Sequence, residues 1–262
     1  MKFLAVLCLI AASAYVVSGA LYYLQQDRLL FIGAGTVTPP SGPRIQRVAH
    51  VVDGLHLRGV RVLAQEGDTV LLYFGGNAEP VVYNAPPMLR LATVTAYLID
   101  YRGYGDSDGS PSERALRDDA LAHFDWIRMQ HPQSRIVLVG RSLGSAMALH
   151  VAARRDIDGI VLISPFTSLR DVAAFHLPWL PVRPLLRHPF DAVPDAHRVG
   201  VDVLVIAGEN DSVIPRRFTD ALVRELPSRA EVHIIPGTGH NDLMATARSW
   251  GLVREYLFDL PR

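Results

Sequence analysis

The sequence predicts an α/β fold in which helices cover both faces of a mostly parallel sheet, with an antiparallel hairpin at its front. Apolar runs rich in β-branched residues alternate with longer helical patterns from residue 70 onward. Before them, residues 47–52 and 55–63 form two strand-like runs joined by Asp53-Gly54, a pair typical of tight hairpin turns. The 262 residues show no internal repeat and no sign of a second globular domain.

Each further element follows this alternation. The other predicted strands are short apolar runs at residues 70–74, 94–100, 136–139, 159–163, 203–207 and 231–235. The predicted helices are longer stretches at residues 82–91, 112–130, 142–155, 216–226 and 242–258. Because open parallel sheets place their sites where the strands end, we expect functional residues in the loops after these strands.

The N-terminal segment has the composition of a membrane-spanning helix. Residues 3–24 contain no charged side chain, and a helix of this length can cross a bilayer. The alternative is a cleaved signal peptide, with small residues at 12–14 or 18–20 as cleavage sites. The apolar run continues past both sites, and Tyr22 and Tyr23 suit a membrane interface. These features favour an uncleaved anchor at residues 1–24.

The globular domain is predicted to cover residues 25–262. Near its start, residues 33–43 are rich in Gly, Pro and Thr and form a predicted linker from the membrane. Lys2 and the amino terminus precede the apolar segment, whereas Arg28 follows it, so the charge bias is small. It favours a cytoplasmic N-terminus and a catalytic domain on the extracytoplasmic side.

One stretch interrupts the alternation of strands and helices. Residues 175–190 contain too many prolines for a regular helix and too many apolar residues for a solvated loop. A cap-like insertion at residues 170–198, which would offer an apolar wall to a substrate or a membrane, accounts for both properties. The alternative is a long surface loop packed on the domain.

Charge and cysteine content exclude several classes of partner and site. The 26 basic and 26 acidic residues give no net charge, so the composition does not indicate a nucleic-acid partner. The single cysteine, Cys8, excludes an internal disulfide and a cysteine-based zinc site.

The strongest motif is Gly140-Arg-Ser-Leu-Gly144, which lies between a predicted strand and a helix rich in Ala and Leu. A G-x-S-x-G at such a turn presents the serine hydroxyl above the sheet, at the positive end of the helix. Ser142 is therefore the candidate nucleophile. Gly105-Asp-Ser-Asp-Gly109 has the same pattern, but no apolar helix follows it, and two acids flank its serine. We interpret Ser107 as a loop or capping residue.

A serine nucleophile needs a base, and the base needs an orienting acid. Asp211 follows the strand at 203–207, and His240 lies in a Gly-flanked loop after the strand at 231–235. The order Ser, Asp, His is that of G-x-S-x-G hydrolases. The other nine histidines are less suitably placed. Glu209 and Asp242 are alternatives for the acid, although Asp242 is expected to begin the last helix.

The chemistry also needs backbone N–H groups that bind the negative oxygen of a tetrahedral intermediate. One donor is expected from Leu143, directly after the nucleophile. The other is expected from the loop Gly75-Gly-Asn-Ala78, where two glycines allow close approach of the backbone, and Asn77 is the favoured donor. A Gly-Gly pair alone would indicate only a turn.

These motifs together resemble the α/β-hydrolase superfamily, and within it the membrane-tethered ABHD-type serine hydrolases. The resemblance runs from residue 25 to the C-terminus and rests on Gln26-Asp-Arg-Leu-Leu-Phe31, Tyr73-Phe-Gly-Gly-Asn-Ala78, Asp100-Tyr-Arg-Gly-Tyr-Gly-Asp-Ser-Asp-Gly109, Gly140-Arg-Ser-Leu-Gly144, Ser164-Pro-Phe-Thr-Ser-Leu169, Gly208-Glu-Asn-Asp-Ser-Val-Ile-Pro215 and Gly237-Thr-Gly-His-Asn241. It implies catalytic Ser142, Asp211 and His240, and hydrolysis without a cofactor. Gly75 stands where these proteins usually have a histidine, so the oxyanion loop lacks that side chain's support.

The sequence thus predicts a membrane-anchored serine hydrolase that acts on carboxylic esters, thioesters or lipid acyl groups, with no metal, cofactor or nucleic acid. The apolar insertion favours a lipophilic substrate. Two alternatives remain open: a catalytically idle fold that serves as a membrane-bound binding or scaffold protein, and a peptidase or amidase with the same triad.

Overall fold

A computed structural model describes residues 2–33, 35, 37–227 and 229–260. The strands are β1 (Ile45–Val52), β2 (Leu55–Val62), β3 (Thr69–Phe74), β4 (Val94–Ile99), β5 (Arg135–Arg141), β6 (Gly159–Ile163), β7 (Val203–Gly208) and β8 (Ala230–Ile235). The helices are α1 (Lys2–Leu30), α2 (Ala85–Leu89), α3 (Glu113–Gln130), α4 (Leu143–Ala152), α5 (Leu169–His176), α6 (Val182–Leu185), α7 (Val193–Ala196), α8 (Arg216–Val223) and α9 (Ala247–Asp259). Short 3₁₀ helices cover Val81–Asn84 and Leu243–Ala245.

The strands form one sheet in the order β1-β2-β4-β3-β5-β6-β7-β8. β1 pairs antiparallel with β2, and β2 with β4, whereas all the other neighbours are parallel. Asp53 and Gly54 both have positive φ in the β1–β2 turn, as a tight hairpin requires. The predicted α/β-hydrolase sheet with its antiparallel N-terminal hairpin is confirmed.

Helices pack on both faces of the sheet. One face is covered mainly by α3, α4 and α8, and the other by α2 and α9. All residues of α4 from Leu143 to Val151 are buried, because this helix lies between the sheet and α3. The start of α4 is consequently fixed against β5, the strand that precedes it.

Two predicted helices differ most from the observed ones, while α4 and α8 each end three residues earlier than predicted. Residues 82–91 form a 3₁₀ turn followed by the short α2, which has prolines in its first turn. The last helix begins at Ala247, where the Thr246 hydroxyl caps the Ser249 N–H. Asp242 does not begin this helix, and its carboxylate accepts a hydrogen bond from the Gly239 N–H instead. The expected helix start at Asp242 is therefore wrong.

The N-terminal helix α1 is continuous over 29 residues, through both candidate cleavage sites. It is long and apolar enough to cross a membrane, and it extends beyond Leu24 to end against the domain. Ala34 and Thr36 of the predicted linker lie outside the described residues. The predicted insertion at 170–198, which we name the cap segment, contains most of α5 together with α6 and α7, joined by proline-rich turns.

Candidate active site

The turn between β5 and α4 places Ser142 in a strained backbone conformation. Its φ of 50° and ψ of −116° lie where residues other than glycine are rarely found. The flanking glycines make the turn possible. A Cβ atom on Gly144 would overlap the carbonyl oxygens of Phe74 and Gly75, and one on Gly140 would overlap the backbone of Gly144. The motif thus brings the serine backbone against the end of β3.

The Ser142 hydroxyl is available for chemistry. The backbone around it is fixed, because its N–H donates to the Ile163 carbonyl at 2.8 Å and its own carbonyl accepts from Ser145. Its hydroxyl has no hydrogen-bond partner among the residues that the structure describes, and the residue is 9% exposed. As the N-terminal residue of α4, it lies at the positive end of the helix dipole, which favours developing negative charge.

Asp211 and His240 form a direct pair. The Asp211 Oδ2 atom lies 2.7 Å from His240 Nδ1, and the Asp211 side chain is 1% exposed. The other carboxylate oxygen accepts hydrogen bonds from the N–H groups of Val213 and Ile214. Burial alone would raise the pKa of the Asp211 carboxyl, but the hydrogen bond and charge of His240 and the Ile214 N–H lower it below its ordinary value. A charged Asp211 can orient the imidazole.

Arg141 connects this pair to the serine turn. Its Nη2 atom donates to the His240 carbonyl at 3.0 Å, and Ser142 is the next residue along the chain. No hydrogen bond joins the Ser142 hydroxyl to the His240 ring in the described part of the chain. The structure therefore brings all three predicted residues to one edge of the sheet, with the acid–base contact formed. Contacts between nucleophile and base are often long in ligand-free enzymes and tighten with substrate bound.

The oxyanion loop, residues 75–79, lies beside the serine. A Cβ atom on Gly76 would be 3.6 Å from Ser142 Cβ, an ordinary contact distance, so this backbone lies next to the serine side chain. The N–H groups of Asn77 and Leu143, the two predicted donors, have no hydrogen-bond partner among the described residues. The Leu143 N–H has no acceptor within the helix, because Leu143 is the first residue of α4. Both predicted donors are thus available at the same edge.

Glu79 and Arg141 form a largely buried ion pair that the sequence reasoning missed. Glu79 Oε1 lies 3.0 Å from Arg141 Nη1, and the two side chains are 10% and 14% exposed. Glu79 also accepts from the Gly76 N–H at 2.6 Å, which closes the oxyanion loop onto its own carboxylate. The pair links the oxyanion loop, the serine turn and the His240 loop. An arginine at the end of an apolar strand, next to the candidate nucleophile, was the available signal, because a largely buried arginine needs an acidic partner.

The oxyanion loop is also supported from its other side. The Tyr101 hydroxyl donates to the Gly75 carbonyl at 2.9 Å, and the Tyr104 hydroxyl donates to the Asn77 side chain at 2.7 Å. A Cβ atom on Gly75 would lie 2.5 Å from a methyl group of Val81, so no larger residue fits there without movement. Tyrosines and Glu79 thus support the loop around Gly75.

The alternative acids have structural partners. Glu209 accepts from the Gly237 N–H at 2.9 Å, and Asp242 accepts from the Gly239 N–H at 2.7 Å. Both carboxylates therefore bind the backbone of the loop that contains His240, whereas only Asp211 contacts its ring. No group of three or more His, Cys, Asp or Glu side chains suited to a metal ion occurs within residues 2–33, 35, 37–227 and 229–260.

The cap segment contacts the loop that contains Asp211. His176 Nε2, at the end of α5, lies 2.9 Å from the carbonyl oxygen of Val213. The N–H of this same Val213 donates to Asp211, so one residue connects the cap to the acid–base pair. Movement of the cap segment would therefore be transmitted to this loop.

Comparisons with known proteins agree with this fold. Residues 70–195 match the family model for the alpha/beta hydrolase fold. An uncharacterised protein of Mycobacterium tuberculosis is 35% identical over 247 residues, which cover 89% of this chain and 87% of that protein. Lysophosphatidylserine lipase ABHD12 of Bos taurus is 29% identical over 222 residues, 73% of this chain and 53% of the lipase. An esterase of Pyrococcus furiosus shares the fold, with a TM-score of 0.68, 16% identity and coverage of 87% and 97% of the two chains.

Proposed function

Because this chain is a member of the α/β-hydrolase family, we propose that it is a serine hydrolase that cleaves carboxylic ester, thioester or lipid acyl bonds. One observation carries the proposal. A serine with a free hydroxyl occupies a strained strand-to-helix turn, and the adjacent Arg141 binds the loop of a histidine that is already paired with a buried aspartate.

In the proposed mechanism, the Ser142 oxygen attacks the acyl carbon while His240 takes the hydroxyl proton. Asp211 keeps the imidazole in the required tautomer and stabilises the imidazolium. The N–H groups of Leu143 and Asn77 bind the oxyanion of the tetrahedral intermediate. His240 then returns the proton to the leaving oxygen or sulfur, and water activated by the same imidazole hydrolyses the acyl-enzyme.

The substrate is proposed to be a lipophilic acyl compound at a membrane. Helix α1 is continuous and apolar enough to serve as an uncleaved membrane anchor. The small excess of positive charge before it favours a domain on the extracytoplasmic side. The name of the related lipase includes a lysophospholipid substrate, and this chain spans about half of that protein. The exposed Trp179 of the cap segment adds apolar surface close to α1.

Labelling with a fluorophosphonate probe tests this function in isolated membranes. We expect the wild-type protein to be labelled and Ser142→Ala to lose all labelling. Asp211→Asn keeps the shape of the orienting residue but favours the wrong imidazole tautomer, so labelling should slow by about 10⁴-fold. Full labelling of Ser142→Ala, or an unlabelled wild-type protein, would contradict the proposal.

A substrate panel then separates the hydrolase classes. Matched p-nitrophenyl esters, thioesters and peptide anilides are offered to the same preparation. The proposal predicts turnover of esters and thioesters, whereas turnover of anilides alone would indicate a peptidase or amidase. Labelling without turnover of any of these substrates would contradict the proposed activity on esters and thioesters.

A further inference from the structure

Helix α1 and the cap segment enclose an apolar groove of about 260 Å³. On α1, its lining residues follow the spacing of one helix face. These residues are Gly19, Tyr22, Tyr23, Gln26, Leu29 and Leu30. On the cap segment, all the lining side chains are aliphatic. They belong to Ala173, Leu177, Leu180, Val182, Leu185 and Leu186.

Gln26, the amide among these lining side chains, is fully engaged by backbone groups. Its Nε2 atom donates to the carbonyls of Tyr23 and Leu185, and its Oε1 atom accepts from the Arg187 N–H at 2.7 Å. The amide therefore attaches α1 to the cap segment and offers no free polar atom to an occupant. Apart from the hydroxyls of Tyr22 and Tyr23, the lining side chains offer an occupant only apolar contacts, which suits an apolar chain.

Charged contacts lie beside the groove and attach the same two segments to each other. Asp27 lies 3.1 Å from Arg187 and 3.2 Å from His188, and the Arg187 guanidinium packs over the Tyr23 ring. Tyr22 and Trp179 form an edge-to-face pair nearer the apolar part of α1. Aromatic rings and charges in this order are typical of a helix leaving a membrane. The groove thus extends from the apolar part of α1 into the domain.

One residue that lines the groove is hydrogen-bonded to the oxyanion loop. Leu30 lines the groove, and its carbonyl accepts a hydrogen bond of 2.5 Å from the Asn77 side chain. Asn77 is the predicted oxyanion donor, and its neighbour Gly76 approaches Ser142. From Leu30 outward, the groove follows α1 for about 16 Å to Gly19. This length suits an extended acyl chain whose carboxyl carbon lies near the oxyanion loop.

We propose that this groove binds the single acyl chain of a membrane lipid, so that α1 forms one wall of the substrate site as well as anchoring the protein. The inference rests on the proposed ester hydrolysis. The lining of the groove favours this occupant, because every lining residue of the cap segment is aliphatic and the Gln26 amide is already bound to backbone groups. The bilayer around α1 supplies acyl chains directly.

Gly19 allows a test at the outer end of the groove. A Cβ atom there would have no atom within 4 Å, so a phenylalanine can enter the groove without a clash of its backbone, and replacing glycine favours the helix. Gly19→Phe should obstruct a long chain and leave room for a short one. Ala20→Phe is the matched control, because Ala20 is exposed on the same helix and does not line the groove.

The full-length protein in phosphatidylcholine vesicles is assayed with p-nitrophenyl butyrate and p-nitrophenyl palmitate. We expect Gly19→Phe to lower the ratio of kcat/KM for palmitate over butyrate at least tenfold, and Ala20→Phe to change this ratio less than twofold. An equal effect of Gly19→Phe on both esters, or an equal change of the ratio in both variants, would overturn the proposal.

A binding experiment separates this inference from the proposed function. The Ser142→Ala protein is photo-crosslinked to a lysophosphatidylcholine that carries a diazirine in its chain, and adducts are mapped by mass spectrometry. Binding in the groove is supported if adducts form on residues 173–186 and their yield falls at least fivefold when Gly19→Phe is added. Adducts distributed around all of α1 and unaffected by that change indicate bulk lipid and overturn it. If no ester is hydrolysed, the proposed function is wrong. The crosslinking still shows whether the groove binds an acyl chain.

Discussion

Residues 105–109 and 140–144 both have the pattern Gly-x-Ser-x-Gly, and the two serines have opposite environments. The Ser107 hydroxyl accepts from the Arg58 N–H at 2.8 Å and donates to the Asp100 carbonyl at 3.0 Å. The Ser142 hydroxyl has no partner among the described residues and stands at the N-terminus of a buried helix. Both serines are nearly buried, so exposure does not distinguish them.

The two turns differ in which residue has a positive φ angle. In the first turn, glycines take the positive φ angles, 53° at Gly105 and 90° at Gly109. Ser107 does not have a positive φ, and its hydroxyl attaches the turn to β2. In the second turn, Ser142 itself has the positive φ. Strain at a residue other than glycine persists only where the surroundings impose it, and it is concentrated at functional sites. The comparison teaches that the backbone around the motif, rather than the motif, distinguishes a nucleophile from a structural serine.

The largest expected effect separates the two serines by activity. Ser142→Ala should lower kcat/KM for a p-nitrophenyl ester by about 10⁴-fold or more, because the nucleophile is lost. Ser107→Ala should leave this rate within a few-fold and lower the free energy of unfolding by about 1–3 kcal/mol, because it leaves buried backbone groups unpaired. Ester kinetics and denaturant unfolding of both variants measure these effects. Loss of activity in a stable Ser107→Ala protein would reverse the assignment of the two turns.

The next largest effect concerns the ion pairs beside the two turns, which should differ in how much they contribute to stability. Glu79→Gln removes the charge that faces the buried Arg141, and we expect a loss of about 3–5 kcal/mol in unfolding free energy. The kcat of the folded protein should also fall, because Arg141 positions the His240 loop. Asp108→Asn is the matched control, since its pair with Arg58 is solvent-exposed and such pairs contribute little. Equal destabilisation by the two substitutions, measured by thermal unfolding, would show that burial does not distinguish the pairs.

The smallest expected effect concerns how stability changes with pH. Burial, together with nearby Asp106, raises the pKa of Asp100 beside the first turn from 3.8 to about 6. The folded state therefore binds a proton that the unfolded state releases, and this contribution is complete below pH 3.8 and is lost as pH rises through 6. Asp100→Asn should remove this loss, so its unfolding midpoint relative to wild type should rise between pH 4 and pH 7.

Asp211 beside the second turn should behave in the opposite way. Its lowered pKa contributes stability that is present above the pKa of the unfolded state and is lost as pH falls through the folded pKa. Asp211→Asn should therefore be most destabilising relative to wild type near neutral pH. Unfolding midpoints of both variants across pH 4–7.5 make the comparison, and parallel pH profiles for the two variants would contradict it.

Much of the fold and of the candidate site follows from local sequence patterns. The eight strands, the hairpin at Asp53-Gly54 and the turn at Ser142 depend on residues that are neighbours in the chain, so their patterns are visible there. The loops of Asp211 and His240 could be placed at one sheet edge, because parallel strands end together. The start of the last helix was mispredicted, since Asp242 binds Gly239 within its own loop and Thr246 supplies the cap.

By itself, the sequence determined the alternation of elements, the strained serine turn and the apolar length of α1, because each depends on spacing within a short segment. Only the tertiary structure decided that Glu79 faces Arg141 and that Gln26 attaches α1 to the cap segment. These partners lie far apart in the chain, and several acids or amides could have made the same contacts equally well. The packing of the whole domain selects one of them, because a buried charge or amide must find a partner wherever the fold places it.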